Sequence, residues 1–153
     1  MTAADLRSTY LRWFRRARLV LLVPLALIAL LQLAMTSPWW DVAPPSSGAG
    51  ARYLFIGVAI GAAVVGRDVR RSETSRGPMD TAALVSLSWR LLVYALAPAV
   101  IGTVLALMTR QIWDFYVLLL ATLIALVLLF PRHDQWVAWS ARPEKKPDSR
   151  GDA

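Results

Sequence analysis

The chain contains no cysteine and a single histidine. Without a thiol there is no disulfide, no thiolate nucleophile, no iron-sulfur ligation and no Cys-rich zinc site. His133 alone supplies neither the two axial imidazoles of a membrane b-type haem nor a His-rich metal cage. No cofactor and no metal is therefore expected within one copy. Charge is also scarce, at 18% of residues against roughly 25% in an ordinary soluble domain. Apolar residues take its place: 57% of the 153 side chains are hydrophobic and the mean hydropathy is +0.49. That balance excludes a soluble globular protein.

A net charge of +7 would, in a soluble chain, suggest a nucleic-acid partner. Here the basic residues bracket apolar runs and act as topology signals, so no nucleic acid is expected. All of them except Lys145 and Lys146 are Arg, and Ala and Leu abound, the composition expected of a high-GC bacterial genome. A bacterial inner membrane is the expected location.

Four apolar segments are expected to cross it, as an all-α protein of two helical hairpins. The first, residues 19–36, is uncharged, and about 18 residues at 1.5 Å each nearly cover the roughly 30 Å hydrocarbon core. A cleaved signal peptide competes with this reading. The run is long, however, and Gln32 and Ala34 make a poor cleavage site, so a retained anchor is expected. The second segment, residues 52–67, is short and bracketed by Arg52 and Arg67, which can snorkel outward. The third, residues 89–109, follows a stretch opened by Asp80, a helix N-cap type; joined to it the helix is too long for a perpendicular span. Residues 80–88 are thus expected to be an interfacial lead-in or a tilted extension. The fourth, residues 112–130, stops before Pro131. Together residues 19–131 form the expected membrane domain, between a basic amphipathic arm (1–18) and a tail (132–153) expected to be disordered from about 141.

Five arginines precede the first span, Arg67, Arg70, Arg71, Arg76 and Arg90 lie between the second and third, and Arg132, Arg142, Lys145, Lys146 and Arg150 follow the fourth. Only Arg52 and Arg110 fall on the other side, so the positive-inside rule places both termini in the cytoplasm. Tryptophan agrees, since indoles favour the headgroup level. Trp13, Trp89, Trp136 and Trp139 fall at the inner edge, and Trp39, Trp40 and Trp113 at the outer edge. A weak repeat pairs Arg18, Pro24, Met35 and Trp39 with Arg90, Pro98, Met108 and Trp113, but any helix rising from Arg to Trp shows the same marks.

Small residues on the second span recur at four-residue spacing: Gly57 with Gly61, Ala59 with Ala63, Ala62 with Gly66. Such stripes let helix backbones approach closely, which marks this helix as the expected central packing element. The third span offers Ala95, Ala99, Gly102 and Ala106 as its partner face, and the Leu-rich fourth is expected to face lipid. Pro24 and Pro98 should kink their spans; in transporters such breaks can mark a substrate site, in small bundles they are tolerated bends.

No span carries a carboxylate at depth, which argues against a proton- or cation-coupled carrier. Gln32, Tyr94, Thr103, Thr122, Ser86 and Ser88 remain to hydrogen-bond between helices. His133 and Asp134 are neighbours with Ser88 as a remote third member, and adjacent chain positions rarely give triad geometry. Phosphate-cradling loops and HExxH spacing are absent. The arm places Trp13 on one helical side and Arg12, Arg15 and Arg16 largely elsewhere, the pattern of a helix lying on anionic headgroups.

The expectation is a non-enzymatic accessory or interaction subunit that contacts membrane lipid and a second membrane protein. A homo-oligomeric pore or carrier, including holin-like permeabilisation, is the alternative. Reporter fusions test the topology: the tail should read cytoplasmic and the Pro-rich outer loop external, and the reverse at either site overturns it.

Overall fold

The computed structural model of the chain describes residues 3–41, 48–75 and 77–141. The Pro/Ser/Gly-rich loop at 42–47, Arg76 and the tail from residue 142 lie outside the described residues, and with them the expectation of a disordered tail. Every element described is helical: α1 (Ala3–Val20), α2 (Val23–Met35), a 3-10 turn (Pro38–Asp41), α3 (Gly48–Ser75), α4 (Thr81–Thr109), α5 (Ile112–Leu129) and α6 (His133–Ser140).

Among the described residues three helical segments are long and apolar enough to cross a membrane: Ala3–Met35, which joins α1 to α2, then Thr81–Thr109 and Ile112–Leu129. The expected second span lies inside α3, whose apolar run at residues 53–66 is short and continues into the charged stretch Arg67 to Glu73.

Helix α1 passes into α2 through a local break at Leu21 and Leu22. The Leu21 amide still donates to the Ala17 carbonyl at 3.0 Å, and Ala26 to Leu22 at 3.0 Å. Between them Pro24 has no N–H to donate, and its ring crowds the carbonyl four residues back. Pro98, by contrast, sits within an unbroken α4, buried with neighbours on both sides.

Asp80 caps α4 as its residue type foretells: its Oδ1 accepts from the Ala83 amide at 2.7 Å. The 29 residues of α4 run to about 43 Å, well past a roughly 30 Å hydrocarbon core. The surplus is covered by protein. Leu84, Leu87 and Ser88 are fully buried beneath α1 and α6, while Asp80, Ala82 and Ser86 stay exposed, so residues 81–88 extend α4 as one continuous helix with one side packed into the core.

The packing centre is α4, and not the helix that carries the small-residue stripe. Its most extensive contacts are with α5 and then α3, with α2 and α1 laid on other sides. Helix α2 packs chiefly on α4 and only weakly, if at all, on α3, so the first of the two expected hairpins is not a packed unit. Helix α5 is the main partner of α4, although Val117, Leu120, Leu123, Ile124, Val127 and Leu128 point outward as its composition implies.

Two glycines set the helix spacing. A Cβ at Gly102 would stand 2.8 Å from the Leu118 Cβ and 3.4 Å from the Phe115 backbone, so α4 and α5 touch here. At Gly66 it would meet Leu129 Cδ1 at 2.8 Å and Tyr94 Cβ at 2.9 Å. Gly102→Val is expected to cost about 1–3 kcal/mol through overpacking. Gly57→Leu, with no atom within 4 Å of the added Cβ, should stay within about 0.5 kcal/mol. Denaturant unfolding in micelles reads both, and equal losses would contradict this spacing.

Candidate functional site

The two ends of the bundle differ in chemistry. One end gathers α1, the charged end of α3, the start of α4 and α6; the other gathers the start of α3 and the turn from α4 to α5.

At this second end Arg110 takes a left-handed conformation, φ 55°, which a non-glycine residue adopts at modest cost to close a tight turn. The turn presents Asp114, whose carboxylate accepts from Thr109 Oγ1 at 2.8 Å and from Arg52 Nε at 3.1 Å. Arg52 also donates to Gln111 Oε1. The ion pair is closest at 2.9 Å, with the carboxylate largely shielded and the guanidinium about one-third exposed. An arginine on the Arg-poor side is thus held by an acidic partner, and it ties α3 to the α4–α5 turn.

The first end is closed by an aromatic cluster. Tyr10, Trp13 and Phe14 of α1 meet Phe130, His133 and Trp136, with ring centroids 5.2–6.1 Å apart. Trp136 is completely buried, and its Nε1 donates to Ser88 Oγ at 3.0 Å. The Met79 amide donates to the Trp139 carbonyl at 3.2 Å, fastening α6 to the segment ahead of α4. Gln135 Oε1 accepts from the Arg132 amide at 3.3 Å and steadies the start of α6.

Between α3 and α5, floored by Pro98 of α4, runs an open groove of about 820 Å³. Ala59, Ala63, Ala121, Ile124 and Leu128 line its apolar length. Arg67, Arg70, Arg71, Thr74 and Trp139 line its other end. Arg70 is committed to the fold: its Nη1 donates to the Leu128 carbonyl at 2.8 Å, one of the orphan acceptors where α5 ends, and its guanidinium lies 5.5 Å from the Trp139 ring centroid. Partial burial lowers the Arg70 pKa from the ordinary guanidinium value, the direction desolvation gives any cation. Arg67 and Arg71 are exposed, and their guanidinium groups make no ion pair or hydrogen bond among the described residues.

The residues singled out by sequence fall in different places. Of the small-residue stripe, Ala59, Ala63 and Gly66 face the bundle. Gly57 is exposed, and Gly61 and Ala62 are partly so; a Cβ on either glycine would meet nothing within 4 Å. The stripe is therefore divided between two faces. Arg12, Arg15 and Arg16 are exposed, whereas Trp13, grouped with them as a headgroup contact, is 3% exposed and packed inside the aromatic cluster. Trp136 and Trp139 are core residues too. The physical reason is that α6 and α1 cover the overlong α4, and indoles are the side chains large enough to fill the space.

Hydrogen bonding between helices is also rarer than expected. Thr103 and Thr122 hydroxyls donate to carbonyls of their own helices, Ala99 and Leu118, at 2.9 and 3.0 Å. Gln32 and Ser86 are exposed, and among the described residues Ser88 alone of that set hydrogen-bonds to another element. His133 Nδ1 stands 4.0 Å from a fully exposed Asp134 Oδ1, while Ser88 is engaged by Trp136, so no triad is assembled. Among the described residues no cluster of acidic, His or Cys side chains could hold a metal ion. The 8-residue helix α6 is too short for periodicity to announce, and the groove depends on which helices are neighbours.

No family profile, curated protein or solved structure matches this chain.

Ser88→Ala should cost about 1–3 kcal/mol by leaving the Trp136 indole N–H buried without an acceptor. Restoring an apolar pair with Ser88→Ala combined with Trp136→Phe should cost less than the sum of the two single changes. Additive losses in unfolding midpoints would show the bond to be unimportant.

Proposed function

We propose that the protein is a small four-span bacterial inner-membrane protein, both termini cytoplasmic, that acts as a non-enzymatic accessory or interaction subunit of a second membrane protein. One observation carries this reading. Gly57 and Gly61 lie on a side of α3 that the bundle leaves uncovered, beside the exposed apolar Leu54, Val58 and Val65. Where lipid removes most of the hydrophobic drive between helices, close backbone approach supplies the association energy, and small residues permit it. The interior supports the same reading, since its buried polar side chains among the described residues are Ser and Thr, without a carboxylate for ion coupling. The exposed arginines of α1 and the basic end of the bundle favour contact with anionic headgroups on the cytoplasmic side.

Gentle extraction of the tagged protein from its host, followed by native mass determination, tests it. A stoichiometric second protein is expected, and Gly57→Leu with Gly61→Leu should lower its occupancy at least tenfold while the unfolding midpoint of the chain holds. A clean homo-oligomer that conducts solute across liposomes, and stops doing so in the same variant, would replace this reading with the pore or carrier.

A further inference from the structure

We propose that the groove between α3 and α5 binds one anionic phospholipid, with its phosphate on Arg67 and Arg71 and an acyl chain laid along Ala63, Ile124 and Leu128. The groove is graded from end to end. Its apolar part begins at Ala59, and its basic part ends at Arg71 and Thr74. From Ala59 to Arg71 along α3 is about 18 Å at 1.5 Å per residue, slightly more than half of a roughly 30 Å hydrocarbon core. Hence the slot matches the depth of one leaflet, and its arginines come to the level of that leaflet's phosphates. Its 820 Å³ lies within the roughly 300–1,000 Å³ of small-molecule sites.

Charge complementarity selects the headgroup. Arg70 is held by the Leu128 carbonyl and Trp139, so the remaining two arginines, one helical turn apart, are the ones free to take a phosphate in a bidentate clamp. Glu73 is drawn to Arg90 at 3.3 Å, and Asp68 does not line the groove. Small side chains at Ala59, Ala63 and Ala121 make the slot deep, and Pro98 floors it where α4 has no amide to present. A zwitterionic lipid satisfies the slot equally but brings its own cation to the two arginines, so an anionic lipid is preferred. Because Gly57 and Gly61 do not line the groove, this inference is independent of the partner contact proposed above.

The test uses the purified full chain, delipidated in a non-ionic detergent and offered phosphatidylglycerol or phosphatidylcholine of the same acyl composition. Native mass spectrometry should record one retained phosphatidylglycerol, at least tenfold favoured over phosphatidylcholine. Arg67→Gln with Arg71→Gln should abolish the preference, and the corresponding double Lys variant should keep part of it. Ile124→Trp, at an exposed position that crowds the slot, should lower retention of both lipids at least threefold. Equal phosphatidylglycerol retention by the Gln double variant overturns the proposal. So does displacement of the lipid by equimolar inorganic phosphate, or a dimer of the chain that forms in place of the lipid adduct.

Discussion

The burial of α4 is the constraint on which the rest of this protein depends. A helix of 29 residues that is hydrophobic all round needs apolar cover, from protein or from lipid, and at about 43 Å it is longer than the roughly 30 Å hydrocarbon core; most of it is packed inside the bundle, with Val93, Val100, Val104 and Met108 left exposed. Lipid cannot cover the surplus turns. The chain supplies α1 and α6 for that purpose, and the largest core cluster accordingly joins Leu84, Leu87 and Leu91 to Leu6, Trp13, Trp136 and Trp139. Within the apolar middle α5, α3 and α2 pack on α4, and Gly102 and Gly66 set how near α5 and α3 come.

This arrangement explains why the bundle is polar in so few places. Buried hydroxyls at Thr103 and Thr122 reach back to carbonyls of their own helix, which satisfies them without demanding a partner across the interface, whereas Thr109, at the end of α4, also meets the Asp114 carboxylate of α5. Cross-element polar bonds are concentrated at the two ends: Trp136 with Ser88 and Arg70 with Leu128 at one, Arg52 with Asp114 at the other. A charge costs less at the ends of an apolar bundle than in its middle, and these bonds tie the helices together without a charge at depth.

The aromatic residues were legible in number and in level but not in role. Trp13, Trp89, Trp136 and Trp139 do gather at one end of the bundle, as their spacing from the apolar runs indicates. An indole beside an apolar run fits a headgroup region and a protein core equally well, since both join an apolar body to a polar tip. Which environment applies depends on whether another helix lies over it. The small-residue stripe shows the same ambiguity: four-residue spacing identifies close packing surfaces on α3, yet Ala59, Ala63 and Gly66 serve the fold while Gly57 and Gly61 remain outside.

By itself the sequence determined the class of protein, the helical segments from residue 19 to 130, the cap at Asp80, the breaks around Pro24 and Pro131 and the unequal sharing of basic residues between the two ends. Each of these follows from short-range physics: transfer of apolar surface, the missing amide of proline, the capping of an open helix end. Tertiary structure decided that α4 and not α3 is the centre, that the arm and α6 form a cover, and that Arg67 and Arg71 sit at the mouth of a groove whose other wall is α5. Those outcomes depend on which helix faces lie opposite one another. Several apolar helices with similar sides have no local signal to say so, and the choice is made by the few positions, such as Gly66 and Gly102, where one pairing alone fits.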